Sequence, residues 1–155
     1  MKTGKGRNRT HKGYFSPRVP EKYVGDIRKI IYRSGWEQKF MGWCDFNENI
    51  LQWSSEPFSI DYYFALDNKI HKYYVDFWLK NSNGKKILIE IKPYQQTLQP
   101  ILKESDQYTT KKVNRYKKDM TVWIKNQSKW KAAKNYADSL GWKFVVVTEK
   151  DLNLK

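Results

Sequence analysis

Tyr74-Val75-Asp76-Phe77 and Ile89-Glu90-Ile91-Lys92, joined across a turn at Asn81-Ser82-Asn83-Gly84, decide how this chain folds. Both segments read as apolar strands, and both carry charge where burial would favour hydrocarbon. Asp76 interrupts the aromatic-rich run from His71 to Leu79, and Glu90 interrupts Ile87-Leu88-Ile89-Glu90-Ile91. If Ser82, Asn83 and Gly84 form a three-residue hairpin loop with Gly84 in the left-handed position, Asn81 faces Lys85 and Asp76 falls directly opposite Glu90. Alternation then puts Asp76, Glu90 and Lys92 on one face and Ile87, Ile89 and Ile91 on the other. Opposed carboxylates repel. A divalent ion between them turns repulsion into attraction, and a hard ion such as Mg²⁺ suits one or two carboxylates together with water and phosphate oxygens. Lys92, one step beyond, is placed to hold an attacking water or the charge that grows in a displacement at phosphorus. On an exposed strand the same residues would be a solvated charge trio, because the D…ExK pattern is short and degenerate.

Composition narrows the chemistry. The chain has 155 residues, enough for one domain and one core. Thirty Lys and Arg stand against sixteen Asp and Glu, a formal charge of +14 that directs the molecule to polyanions, nucleic acid first. A membrane surface would also attract that charge, but there is no long uncharged apolar run, signal peptide or strongly basic amphipathic helix. The single cysteine, Cys44, excludes an internal disulfide and points to a reducing compartment. With only His11 and His71, zinc sites and phosphodiesterase chemistry built on paired histidines are disfavoured, leaving carboxylates and a metal.

Along the chain, residues 1–20 carry Lys2, Lys5, Arg7, Arg9, Lys12 and Arg18 and no acid, the composition of a disordered basic arm that could follow a phosphate backbone or act as a solubilising tail. Residues 21–155 form a single domain. Ser34 is an N-cap with Glu37 three residues on, a capping-box pattern that gives Glu37 a structural role, and Trp36, Phe40, Trp43 and Cys44 repeat at helical spacing as core. Leu51-Gln52-Trp53-Ser54 and Phe58-Ser59-Ile60-Asp61-Tyr62 alternate as strands around Pro57, and Asp67-Asn68-Lys69 is a turn. The segments His71–Lys80 and Lys85–Lys92 are the two arms of the hairpin. Tyr94 to Pro100 is a polar loop beside the carboxylates. A basic helix runs from about Asp106 to Lys118, presenting Lys111, Lys112, Arg115, Lys117 and Lys118. A second runs from Asn126 to Leu140, with Trp130, Ala133, Tyr136, Ala137 and Leu140 on one stripe and Gly141 as its C-cap. Trp142 to Thr148 is a β-branched strand that returns alongside the hairpin.

Taken together, Tyr23-Val24-Gly25-Asp26, Ile30 to Glu37, Trp53-Ser54-Ser55-Glu56, Tyr74-Val75-Asp76-Phe77, Ile89-Glu90-Ile91-Lys92-Pro93, Asn126 to Trp130 and Thr148-Glu149 resemble the head-completion nucleases of T-even-type tailed phages. More distantly they resemble the amino-terminal endonuclease domain of the transposition protein TnsA and, through it, the restriction-endonuclease-like superfamily. The resemblance implies an α/β domain with a mixed central sheet of about four to five strands flanked by helices, and a Mg²⁺-dependent DNA endonuclease in which Mn²⁺ substitutes. It implies that Asp76 and Glu90 hold the metal together with the backbone carbonyl of Ile91. Lys92 would orient or activate water, and Glu37, on the first helix, would complete the site. Gln127 lies in a family-like segment but fits helix packing as well. The departure is Val75, where the family's usual residue is proline. Arg33, the basic helix residues Lys111 to Lys118, Arg7 and Arg9 are the candidate DNA contacts. In a phage setting the resemblance implies action on packaged genome ends or docking at the head vertex, with capsid, portal or neck proteins as partners, in the host cytoplasm and the virion. A contrasting reading is a DNA-binding virion structural protein that keeps the nuclease scaffold and is indifferent to Mg²⁺; an RNA-directed enzyme lacks an RNA-binding signature.

Overall fold

The computed structural model describes residues 11–104 and 107–152. Strand β1 (Gly13–Tyr14) pairs antiparallel with β2 (Ile31–Tyr32), and helix α1 (Gly35–Phe46) follows. Ser34 caps α1, its Oγ accepting from the Glu37 N–H at 3.1 Å. After β3 (Ile50–Ser55) comes a two-stranded ribbon, β4 (Ser59–Phe64) and β5 (Lys69–Tyr74), then β6 (Phe77–Asn81) and β7 (Lys86–Ile91). Helix α2 (Thr110–Ser139) carries the chain across to β8 (Lys143–Val147), which lies parallel to β7. The central sheet is mixed, in the order β3-β6-β7-β8, and the ribbon forms a sheet of its own. This four-stranded mixed sheet between helices is the α/β architecture expected from the sequence.

Alternation along β6 and β7 sorts the core into two layers. Phe77, Leu79, Ile89 and Ile91 face α1, where Phe40, Met41 and Cys44 cover them together with Trp53 and Ile30. Leu88 faces the other way, against Ala133 and Ala137 of α2 and the inner side chains of the ribbon, Ile60, Tyr62, Phe64 and Tyr73. The hairpin has the expected register: Asn81 N–H meets the Lys85 carbonyl at 2.9 Å, Gly84 has φ +77°, and Phe77 pairs with Ile89.

Four expectations are corrected. The segment 71–80 is not one strand: it breaks at Val75–Asp76, so that β5 pairs with β4 and β6 with β3 and β7. Neither glycine nor proline marks the break; Val75 is buried and the Glu56 N–H bonds the Asp76 carbonyl at 2.8 Å, so tertiary contacts impose it. The two expected helices are one helix of 30 residues, because no glycine or proline separates Lys118 from Asn126. It ends as expected, with Gly141 at φ +71° and the Gly141 and Trp142 N–H groups bonding the Asp138 and Ala137 carbonyls, a Schellman closure. On the helices, Trp43 is 47% exposed and Leu140 48%, because the buried stripes run through Phe40, Met41 and Cys44 and through Asn126, Ala133 and Ala137. Finally, residues 11–20 are not a disordered arm. Beyond β1, the Arg18 and Val19 N–H groups bond the buried Asp45 carboxylate at 2.8 and 3.0 Å, and Lys22 Nζ caps the end of α1 through the Asp45 and Asn47 carbonyls. The rest of the expected arm, with Arg7 and Arg9, lies outside the described residues.

Candidate active site

The break at Val75–Asp76 is what builds the site. Released from the strand, Asp76 turns its carboxylate to β7, where Oδ2 accepts the Ile91 N–H at 2.8 Å. The register places it beside Glu90, one step past the Phe77–Ile89 pair. Glu90 is 3% exposed. Its Oε2 accepts the Tyr73 O–H at 2.5 Å, and its Oε1 lies 3.3 Å from Lys92 Nζ. The base of Lys92 is pinned, since its N–H bonds the Val147 carbonyl at 3.0 Å and the next turn is held by the Tyr94 N–H to Glu149 Oε2 bond at 2.8 Å.

Electrostatics follow from this crowding. Burial first, and then the neighbouring Glu90, push the Asp76 carboxyl well above the usual carboxylate range; Glu37 adds to the push, while the Ile91 N–H and Lys92 oppose it. Glu37 is also raised, chiefly by burial and further by Glu56 and Glu90, against the Arg33 N–H and the Arg33 charge. Burial and then Glu90 drive the Tyr73 phenol up, so it remains a donor. Two carboxylates thus share a poorly solvated site with one close ammonium. Asp76 Oδ1 has no hydrogen-bond partner among the described residues. The Ile91 carbonyl leaves the same strand edge as the N–H that meets Asp76. Hard oxygen donors on a site with excess negative charge fit Mg²⁺.

Glu37 stands apart from that donor set. Its Oε2 accepts the Arg33 N–H at 2.7 Å, one residue short of the usual capping-box partner. Among the described residues no three His, Cys, Asp or Glu side chains are grouped closely enough to hold one ion. Glu37 is therefore an outer carboxylate, near enough to feel Glu90 and Asp76. Arg33 is exposed and ion-paired with Glu56. Lys111, Lys112, Arg115, Lys117 and Lys118 are exposed on the first turns of α2, with Arg115 4.0 Å from Asp119. At 1.5 Å per residue they stand roughly 16–27 Å along the helix from Lys129, which lies over the Tyr73 ring that bonds Glu90, so they extend the basic surface and do not join the site. Gln127 is exposed, which removes the packing role expected for it.

The profile of the TnsA-like endonuclease N-terminal family matches residues 47–149. The chain belongs to the TnsA-like endonuclease family. It is also 38% identical over 142 residues to the head completion nuclease of Enterobacteria phage T4, an alignment covering 92% of this chain and 93% of that protein. Asp76, Glu90 and Lys92 lie inside the span of the TnsA-like match, whereas Arg33 and Glu37 precede it.

Within this TnsA-like framework three side chains were not anticipated. Tyr73 gave a signal, because alternation between exposed Lys72 and Tyr74 places it inward on the strand leading to Asp76. Glu56 closes one of the family-like segments, but nothing there signalled its backbone, whose φ of +46° is uncommon for a glutamate. Lys129 lies on the buried face of α2, within the helical segment expected from Asn126, but a lysine among lysines carried no signal of that placement.

Proposed function

We propose that this chain is a Mg²⁺-dependent DNA endonuclease that hydrolyses phosphodiester bonds in phage head completion, with Mn²⁺ able to replace Mg²⁺. The observation that carries the reading is Asp76 set beside the buried Glu90, its carboxyl raised in proton affinity by burial and then by Glu90, and held on the β7 edge by the Ile91 N–H. Asp76, Glu90 and that carbonyl would hold the ion. When bound, it would supply positive charge for a non-bridging phosphate oxygen and a water of lowered pKa. The chain's own groups account for the rest. Glu90 holds the Lys92 ammonium at 3.3 Å, where it can donate to the attacking water or to the phosphoryl oxygens as their charge grows. Tyr73 keeps the Glu90 carboxylate from rotating away. Glu37, anchored by the Arg33 N–H, can orient a second water. Arg33 would reach a phosphate by exchanging its Glu56 partner for it. The exposed lysines of α2 supply counter-charge to the duplex.

The similarity to a head completion nuclease supports the head-completion setting; within it the proposed substrate is packaged genome ends, the proposed partners are capsid vertex, portal or neck proteins, and the proposed places of action are the host cytoplasm and the virion. No helix among the described residues is long and apolar enough to cross a membrane. The test is incubation of the purified protein with supercoiled, linear and branched DNA, with Mg²⁺, Mn²⁺ or a chelator. Cutting that needs the ion and disappears in Asp76→Ala and Lys92→Ala, both folded, supports the reading. Steeply salt-dependent binding with no cutting under any condition overturns it in favour of a non-catalytic DNA-binding virion protein.

A further inference from the structure

The buried residues of α2 are Asn126, Ala133 and Ala137, one face of the helix. Lys129 belongs to that face, three residues after Asn126 and four before Ala133. It is half-buried, unlike the exposed Lys111, Lys112, Lys117 and Lys118 at the start of the helix. Its ammonium lies 5.5 Å from the centre of the Tyr73 ring and 5.9 Å from that of Tyr62. One turn earlier, Lys125 Nζ lies 5.6 Å from the centre of the Phe64 ring. Neither lysine has an ion pair among the described residues. Aromatic faces position a cation without neutralising it. Tyr73, over whose ring the Lys129 ammonium stands, donates its O–H to Glu90, so Lys129 lies beside the site. A half-buried cation with no counter-ion is costly unless an anion completes it.

We propose that Lys129, with Lys125 one turn behind it, grips backbone phosphates of the DNA strand beside the Asp76–Glu90 site. The two lysines stand about 6 Å apart along the helix axis, close to the spacing of successive phosphates. The identity of the strand rests on the nuclease reading; the binding itself does not.

Lys129→Met keeps the stem that lies on Tyr62 and Tyr73 and removes the charge. Fluorescence anisotropy with labelled duplex and single-stranded DNA in chelator, where the proposed chemistry is off, should show about a tenfold weaker Kd. The slope of log K against log salt should be shallower by about 0.9, one phosphate contact. Lys129→Arg should restore most of the affinity, and in Mg²⁺ the methionine variant should raise KM more than it lowers kcat. Thermal stability of Lys129→Met should match or exceed that of the unaltered protein, whereas a packing role would lower it. Unchanged Kd and salt slope in Lys129→Met overturn the proposal while leaving the nuclease reading intact. If the unaltered chain cuts nothing but shows the lysine-dependent binding, the nuclease reading falls and this one stands.

Discussion

Replacing Tyr73 by phenylalanine removes one oxygen and leaves the ring in place. That oxygen donates to Glu90 Oε2 at 2.5 Å in a buried setting, and Glu90's other oxygen has only Lys92 at 3.3 Å. A hydrogen bond to a charged group contributes about 1.5–3 kcal/mol, and its loss also leaves the Asp76–Glu90 repulsion less screened. For a domain of this length, about 2 kcal/mol corresponds to a melting temperature lower by about 4–8 °C. The ring packing is retained, so the loss belongs to the bond. The second consequence is functional: outer partners that orient a metal ligand are worth about 10- to 100-fold in metal affinity. Differential scanning calorimetry in chelator and isothermal titration with Mg²⁺ measure the two effects. Tyr62→Phe is the control, because the Tyr62 hydroxyl makes no hydrogen bond among the described residues. A Tyr73→Phe protein that melts with the unaltered one and binds Mg²⁺ equally well would refute the claim that Tyr73 holds Glu90 in position.

Other consequences follow from the same crowding. Asp76→Asn removes a buried like charge, so in chelator at pH 7 it should melt above the unaltered protein while losing all Mg²⁺-induced stabilisation in the same scan. The pH dependence has a definite sign. The unfolded chain releases the Asp76 proton near the ordinary 3.8 and the folded chain only at higher pH. Across that window the folded state binds more protons, and metal-free stability falls as pH rises. Urea titrations from pH 4 upward should show the fall in the unaltered protein and a shallower one in Asp76→Asn. Away from the site, Gly141→Ala places a Cβ that meets nothing within 4 Å, so its cost is purely that of φ +71°. That cost is about 1–2 kcal/mol by urea unfolding, with DNA cutting unchanged.

What was legible in the sequence was local. Asn81 and Gly84 close the hairpin through short-range geometry, and that turn alone sets the register bringing Asp76 to Glu90. Ser34 and Gly141 likewise mark helix ends through chemistry contained in a few residues. The return of β8 alongside the hairpin was readable because a β-branched run follows a helix, whereas its parallel direction against β7 comes from the structure. The break between β5 and β6 was not legible, since it depends on the Glu56 N–H, twenty residues earlier in the chain, bonding the Asp76 carbonyl. Position Glu56 carries no signal of its left-handed backbone, which follows from that contact and from its pairing with Arg33. Trp43 misled because its spacing from Phe40 is helical, yet the sheet lies under Phe40, Met41 and Cys44. The basic run in the first half of α2 concealed that the two helical segments are one continuous helix. Glu37 was legible as a cap partner through the Ser34 pattern, although its carboxylate accepts the N–H of Arg33, one residue before the cap.

The most direct measurement is an anomalous difference map from crystals soaked in Mn²⁺. The account predicts one strong peak about 2.1 Å from a carboxylate oxygen of Asp76, a carboxylate oxygen of Glu90 and the Ile91 carbonyl oxygen. A peak bound instead by Glu37 and Glu56, or no peak between Asp76 and Glu90 at saturating Mn²⁺, would contradict it.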